Sequence, residues 1–230
     1  MQTTFTGFPG EGLNFFKELK DNNSKDWFEA NKEDYLTFVR KPALAFIQDL
    51  GARLAQISDV TTDIRTNGSG TLMRMNRDTR FSKNKDPYKT NISGMFWDGV
   101  GKKTENTAFG FQLEYDKLHL MAGMFQFPKE MLAAYREAVT NTRSGTELQD
   151  IIDALPDDYS LEGKHYKKVP RGFDAEHERA ELLLYHGIYA SIPGIKGDIL
   201  TKPELLELCF EHFAKMAPLQ RWLAKIKRNT

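Results

Sequence analysis

The clearest pattern along the chain is a two-residue alternation of apolar and polar positions between Phe109 and Met124. Apolar side chains occupy every second position on both sides of Asp116-Lys117, which is typical of two strands joined by a tight turn. They are Phe109, Phe111, Leu113 and Tyr115, followed by Leu118, Leu120, Ala122 and Met124. Weaker alternation over 72–77 and 91–97 predicts two more strands, so residues 71–125 are expected to form a four-stranded antiparallel sheet.

Helical spacing of apolar residues is found on both sides of this predicted sheet. The stretches with this spacing begin near Pro9, Ser24, Pro42, Pro128 and Thr201. Proline interrupts the helical hydrogen-bond ladder, so we expect one helix to stop near Arg40 and the last helix to bend or break at Pro218. Thr201 and Glu204 have the spacing of a capping box, which predicts the start of that last helix.

The rest of the chain adds one more strand, predicted over 182–192, with the tail of a helix as the alternative for its beginning. The acids around Asp157-Asp158 are interpreted as a polar surface region, with a divalent-cation site as the alternative. We find no internal repeat, low-complexity tract or convincing linker. The expected architecture is therefore a single α+β domain over residues 1–230, with a central antiparallel sheet of four or more strands. N-terminal, middle and C-terminal helices are expected to pack on that sheet.

The composition of the chain excludes some classes of protein and argues against others. The 230 residues are 40% hydrophobic and include 16 phenylalanines, enough for a substantial core, which excludes a disordered chain. A net charge of zero gives no overall attraction to nucleic acid or to an anionic membrane. The single cysteine, Cys209, fits a reducing compartment, and we see neither a secretory signal nor an apolar stretch that could span a bilayer. We expect a cytoplasmic protein with no membrane partner.

Charge is concentrated in one place, the basic segment, residues 74–89. It holds six basic side chains against two acidic ones, an excess of +4. Arginine presents a planar fork that matches carboxylate or phosphate oxygens, and lysine adds a mobile point charge, so this pattern is typical of an anion site. A solvated hairpin whose charges pair with one another has the same composition and remains the alternative.

The other motifs predict no metal site and no phosphate-binding loop. His177-Glu178 is followed by Glu181 where a helical zinc site requires histidine, so no metal site is predicted. Gly101-Lys102-Lys103-Thr104 lacks the first glycine of a phosphate-binding loop, because residue 96 is phenylalanine. We interpret His119 as a structural histidine, with a base facing a groove as the alternative, and Cys209 as a buried apolar side chain. The sequence does not identify a cofactor or an oligomeric state.

The basic segment also resembles a signature of a widespread bacterial family, Domain of Unknown Function 2461. The pattern R-x-x-R-D-x-R-F followed by K-x-x-Y-K is carried by Arg74, Arg77, Asp78, Arg80 and Phe81, then by Lys85, Tyr88 and Lys89. Asn22-Asn23 with Trp27-Phe28, and Pro170-Arg171-Gly172-Phe173-Asp174, resemble two further blocks of the family. The resemblance implies a single cytoplasmic domain of about this length, and it implies no activity or catalytic residue.

Three functions remain open for the basic segment. In the first, a small anionic ligand, phosphorylated or not, is bound with or without catalysis, and Asp78 orients an arginine or, less favourably, acts as a general base. The expected ligand-binding residues are Arg74, Arg77, Arg80, Lys85, Tyr88, Lys89 and Arg171. In the second, the basic residues and the aromatics Phe81, Tyr88 and Trp97 bind nucleic acid. In the third, the arginines and aspartates form a structural ion-pair network, and function lies in contacts with another protein.

Overall fold

The alternating segment forms the hairpin at the centre of the protein. The structure is a computed structural model that describes residues 4–228. Strand β2 (Ala108–Leu113) pairs with β3 (Lys117–Met124) so that Phe111 lies opposite Leu120. The amide of Glu114 donates to the carbonyl of Lys117 at 2.8 Å, which closes the turn. The turn therefore spans 114–116, and Lys117 is already the first residue of β3 rather than part of the turn.

Six antiparallel strands make up the sheet, which confirms the predicted α+β class. The other four are β1 (Ile92–Trp97), β4 (Ser160–Lys164), β5 (Tyr185–Ser191) and β6 (Ile195–Lys196). Their order is β1-β2-β3-β5-β4, and β6 pairs with the start of β3. A short 3₁₀ helix, Ala180–Leu184, leads into β5 and accounts for the first part of the strand predicted over 182–192.

The strand predicted over 72–77 is wrong. This segment lies beside β1 and makes only two hydrogen bonds there, Met73 N to Ser93 O at 2.9 Å and Met95 N to Thr71 O at 3.0 Å. It then bends at Met75, and Asn76 pairs with Tyr88 instead of continuing along β1. Two isolated bridges on either side of a bend do not make a strand, although the alternation in the sequence favours one.

Helices cover one face of the sheet. They are α1 (Gly10–Asp21), α2 (Lys25–Ala30), α3 (Lys32–Asp34), a π-helical segment (Tyr35–Arg40), α4 (Lys41–Leu54), α5 (Lys129–Thr140), α6 (Thr142–Asp153) and α7 (Leu205–Lys227). Helix α7 lies across β3 and β5 and contacts α4, α5 and α6. As predicted, helices from the N-terminal, middle and C-terminal parts of the chain pack on the sheet.

The expected boundary near Arg40 is confirmed, and the expected break at Pro218 is wrong. The π-helical segment ends at Arg40 and α4 begins at Lys41, with Pro42 in its first turn, although the backbone on both sides of this boundary is helical. Pro218 lies inside α7, which continues unbroken to Lys227. Ala217 and Leu219 beside it are buried, and this burial holds the helix on the sheet despite the lost backbone hydrogen bond.

The capping box predicted at Thr201 is also wrong. Thr201 ends a 3₁₀ helix, Asp198–Thr201, and its hydroxyl donates back to the carbonyl of Asp198 at 2.9 Å. Helix α7 begins four residues later, at Leu205. The hydroxyl is already used by the preceding turn, so it does not cap the helix.

Aromatic contacts fill the layer between helices and sheet. Phe46 of α4 meets Phe111 edge to face, with ring centroids 5.1 Å apart, and Phe213 of α7 meets Phe109 at 5.2 Å. Cys209 is fully buried in the same layer, as its position on the apolar side of α7 predicts. Burial raises the pKa of its thiol, so this cysteine behaves as an apolar side chain.

The basic segment is anchored to the N-terminal helices at its end. The side chain of Asn23 accepts from Tyr88 N at 3.1 Å and donates to Tyr88 O at 3.0 Å, and the Tyr88 ring stacks on Phe28 with centroids 4.1 Å apart. Ser24 caps α2 by accepting from Trp27 N at 3.2 Å, which positions Phe28 for this stack. The two sequence blocks that contain these residues therefore meet in space.

We expect Asn23→Ala to lower the free energy of unfolding by about 1–3 kcal/mol, because both backbone groups of Tyr88 lose their side-chain partner. Chemical denaturation gives this value directly. Asn22→Ala is the matched control, since the Asn22 side chain is exposed and bonds only to Glu18 O within its own helix. Equal losses in the two variants would contradict an anchoring role for Asn23.

Candidate functional site

Much of the basic segment is satisfied by its own residues. The guanidinium of Arg80 donates to both carboxylate oxygens of Asp78, at 3.0 Å from Nε and 2.7 Å from Nη2. The amide of Arg80 also donates to Asp78, at 3.2 Å. These bonds, with a smaller contribution from the charge of Arg74, lower the pKa of Asp78 to about 2. The pair lies on the surface, so it adds little to stability.

Two more of the expected ligand-binding residues make contacts inside the segment. The guanidinium of Arg77 lies 3.9 Å from the carboxylate of Asp86. The ammonium of Lys85 donates to the carbonyl of Thr79 at 2.9 Å. Arg77, Arg80 and Lys85 thus hold the loop in shape. Arg80 and Lys85 are exposed, and Arg77 is half-buried.

The Tyr88 side chain and Arg171 make no hydrogen bond or ion pair with the other expected residues within residues 4–228. Burial raises the pKa of the Tyr88 hydroxyl, and the charges next to it are Glu29 and Lys32 of the N-terminal helices. Arg171 is exposed, in the segment between β4 and the 3₁₀ helix Ala180–Leu184.

A different set of cations does come together. The charge of Lys89 interacts with that of Arg74, at the other end of the basic segment, and with that of Lys103, in the 3₁₀ helix Lys103–Glu105 that follows β1. The ammonium of Lys103 is fixed by the carbonyls of Gly68, at 3.0 Å, and Gly70. We call Arg74, Lys89 and Lys103 the basic cluster. Nothing in the sequence marks Lys103, which lies 14 residues beyond Lys89, as part of this cluster.

The lysines of the basic cluster are held in an unfavourable environment. Burial lowers the pKa of Lys89, and the charge of Arg74 lowers it further. Burial also lowers the pKa of Lys103, where the attraction of Asp63 is opposed by repulsion from Lys89. Asp63 itself is occupied by Arg65, whose Nε donates to it at 2.8 Å. Within residues 4–228, the side chains of Arg74 and Lys89 form no hydrogen bond or ion pair.

Comparison with known proteins places the chain in a family. Residues 11–222 match the conserved hypothetical protein family DUF2461, which is most of the chain from α1 into α7. The chain belongs to the DUF2461 family. This agrees with the resemblance seen in the basic segment and in the blocks around Asn23 and Arg171. No curated protein matches the chain.

Membership of DUF2461 names no cofactor, and the described residues offer no evident metal site. Within 4–228, no group of three or more His, Cys, Asp or Glu side chains is arranged to hold a metal ion. Near the motif tested for zinc, Asp174 accepts from Glu176 N at 2.9 Å, and His177 accepts from Arg179 N at 3.0 Å. These side chains serve the turn that precedes the 3₁₀ helix.

Within residues 4–228, no helix has the length and apolarity needed to cross a bilayer.

The Asp78–Arg80 pair gives a direct test of the loop's structure. We expect the Asp78 carboxyl to titrate at about 2 in the native protein, so the ion pair is complete above the ordinary pKa of about 3.9 and is lost as the pH falls through 2. In Arg80→Ala the pKa should rise toward 3.9. Arg74→Ala should change it much less, because Arg74 contributes only through its charge. Carboxyl ¹³C NMR titration measures all three, and an unchanged value in Arg80→Ala would contradict the pairing.

Proposed function

We propose that the protein binds a small anionic ligand at the basic cluster, with a phosphate-bearing metabolite as the ligand class. The observation that supports this is that Lys89 lies within the electrostatic range of both Arg74 and Lys103, while neither Arg74 nor Lys89 has a carboxylate bonded to it within residues 4–228. Asp78, the acid closest in sequence to Arg74, is already occupied by Arg80.

The burial of Lys89 and its repulsion by Arg74 favour an anionic ligand at the basic cluster. Half-burying an ammonium group next to another cation disfavours its charged form, which is why the pKa of Lys89 is lowered. An anion bound next to these cations would favour the charged form of Lys89, because its opposite charge offsets both the repulsion from Arg74 and the cost of burial. The guanidinium of Arg74 would add two-point hydrogen bonding to phosphate oxygens. Charged groups with perturbed pKa values and no partner are typical of binding sites.

Arg77, Arg80, Lys85 and Asp78 have a supporting role in this proposal. They shape the loop between Arg74 and Lys89 through the contacts described above. A carboxylate with a pKa of about 2 is a weak base, so Asp78 suits the orientation of Arg80 better than proton transfer. A purely structural network is less favoured, because the pairs of Arg77 and Arg80 are exposed and such pairs contribute little stability.

Nucleic-acid binding is the second candidate, and one observation favours it. Phe81, at the tip of the basic segment, is 95% exposed, and the guanidinium of Arg80 lies 5.8 Å from its ring centroid. An exposed aromatic next to cations is a stacking platform for a base. Tyr88 and Trp97, the other two aromatics considered, are buried and not available for stacking. A single aromatic is a weaker argument than the unpaired basic cluster.

The anion proposal is tested by thermal shift with inorganic phosphate and a panel of phosphate-bearing metabolites, at low and high salt. At a concentration about 100 times Kd, a ligand should stabilise the protein by about 2.7 kcal/mol, or about 5–10 °C for a chain of this size. Lys89→Met should lose most of this shift. Its unliganded stability should equal or exceed that of the native protein, because a poorly placed charge is removed.

Lys85→Met is the matched control for that experiment, because Lys85 lies in the same loop but bonds to Thr79 O instead of facing the cluster. It should keep the ligand-induced shift. If no phosphate compound shifts the native protein, or if Lys85→Met and Lys89→Met lose the shift equally, binding at the basic cluster is wrong.

For the second candidate, we expect short single-stranded oligonucleotides to bind weakly, with an affinity that falls steeply with salt. Phe81→Ala should leave this binding within about twofold if phosphates alone are contacted. A loss equivalent to about 1–3 kcal/mol in Phe81→Ala, measured by fluorescence anisotropy, would instead establish base stacking and favour the nucleic-acid function.

A further inference from the structure

The face of the sheet that carries no helices contains a groove of about 450 Å³, which we call the sheet groove. Methionines from three places line it: Met95 of β1, Met121 of β3 and Met73 of the segment beside β1. Phe125 and Tyr189 lie at its β5 side, with ring centroids 4.5 Å apart. The volume is within the range of sites that hold small organic molecules.

The strand register explains why this face is concave. Across the sheet, Met95 lies opposite Gly110, Gly110 opposite Met121, and Met121 opposite Ser191. Small residues therefore alternate with methionines in one row. A Cβ on Gly110 would lie 3.1 Å from Met121 Cγ, so a larger side chain there would fill the floor. The flexible methionines form an apolar surface that adapts to the shape of a ligand.

The carboxylate that lines the sheet groove has no positively charged lysine or arginine beside it in the described part of the lining. Among the described residues that line it, Glu162 is the only carboxylate and there is no lysine or arginine. Glu162 lies opposite Tyr189 across the β4–β5 pair. Its carboxylate is exposed and has no hydrogen bond or ion pair with residues 4–228. An unpaired negative charge thus stands next to two aromatic rings at the end of an apolar floor.

We propose that the sheet groove binds a small organic cation, an amine with an apolar body. The ammonium group lies by the Glu162 carboxylate and the rings of Phe125 and Tyr189, and the apolar body lies on the methionines. Aromatic faces attract cations through their negative quadrupole, and the attraction adds to that of the carboxylate. An anionic ligand would meet only repulsion from Glu162, which distinguishes this site from the basic cluster.

The opposite end of the sheet groove suits a polar group on the same ligand. The ring of His119 lines this end, with Nε2 3.8 Å from Glu114 Oε1. Gln112 Nε2 donates to the same oxygen at 3.0 Å. Gly194 passes over the ring, where a Cβ would lie 3.3 Å from Cε1 of the histidine. His119, fixed on two sides, offers a hydrogen bond to the ligand's far end.

The test uses three matched probes: 4-phenylbutylamine, its uncharged isostere 4-phenyl-1-butanol, and the anion 4-phenylbutyrate. Titration is followed by NMR of ¹³C-methyl-labelled methionines. The amine should shift the methyl signals of Met73, Met95 and Met121 and leave those of Met131 and Met216, which are buried in the core. It should bind about tenfold more tightly than the alcohol, and the carboxylate should bind most weakly.

Glu162→Gln should reduce the preference for amine over alcohol from about tenfold to about two- to threefold, the part that the aromatic rings supply, and this exposed substitution should leave the fold intact. Glu130→Gln, which removes an exposed carboxylate from α5, is the control and should keep the preference. Ser191→Phe should block binding of amine and alcohol alike. Equal affinity of native protein for amine and alcohol, an unchanged preference in Glu162→Gln, or shifts confined to other methionines would overturn the proposal.

Discussion

The register of the β2–β3 hairpin determines which side of the two central strands faces the helices. With Phe111 opposite Leu120, the large apolar side chains of both strands lie on one face and meet Phe46 and Phe213. A slip of one residue would turn those side chains to solvent and bring Gln112 and His119 into the core. Because such a slip exchanges both faces at once, the aromatic core and the sheet groove depend on the same pairing.

The sequence pattern predicts those helices and strands that are determined by residues close together in the chain. The hairpin, α1, α2 and α5 follow from periodicity and turn or capping residues near their ends. Helix α6 is missed because only Gly145 and Leu148 are buried on it, which leaves a weak apolar stripe. Segment 72–77 is overpredicted because its alternation is real but the backbone bends at Met75, so that Leu72 pairs with β1 and Asn76 pairs with Tyr88. The continuity of α7 through Pro218 depends on packing against the sheet, which no local pattern reveals.

In the candidate sites, too, some features follow from the local sequence and others only from the tertiary structure. The sequence singles out the basic segment by charge, and it cannot show that Asp78 and Asp86 occupy Arg80 and Arg77 and leave Arg74 and Lys89 for something else. Lys103 joins them only because the turn after β1 returns past Gly68 and Gly70. Glu162 stands beside Phe125 only through the pairing of β4 with β5. In both cases the unpaired charge is a tertiary feature, produced by strands distant in the chain.

The segment beside β1 carries consecutive residues of the two candidate sites, since Met73 lines the sheet groove and Arg74 belongs to the basic cluster. This irregular backbone makes two hydrogen bonds to β1 and is held by the buried side chains of Leu72 and Met75 on either side, so Met73 and Arg74 move together if it moves. If both proposed sites bind their ligands, a ligand that repositions Met73 would also displace Arg74, and the reverse is equally true. Any coupling that results would be reciprocal, so each ligand would change the affinity for the other by the same factor.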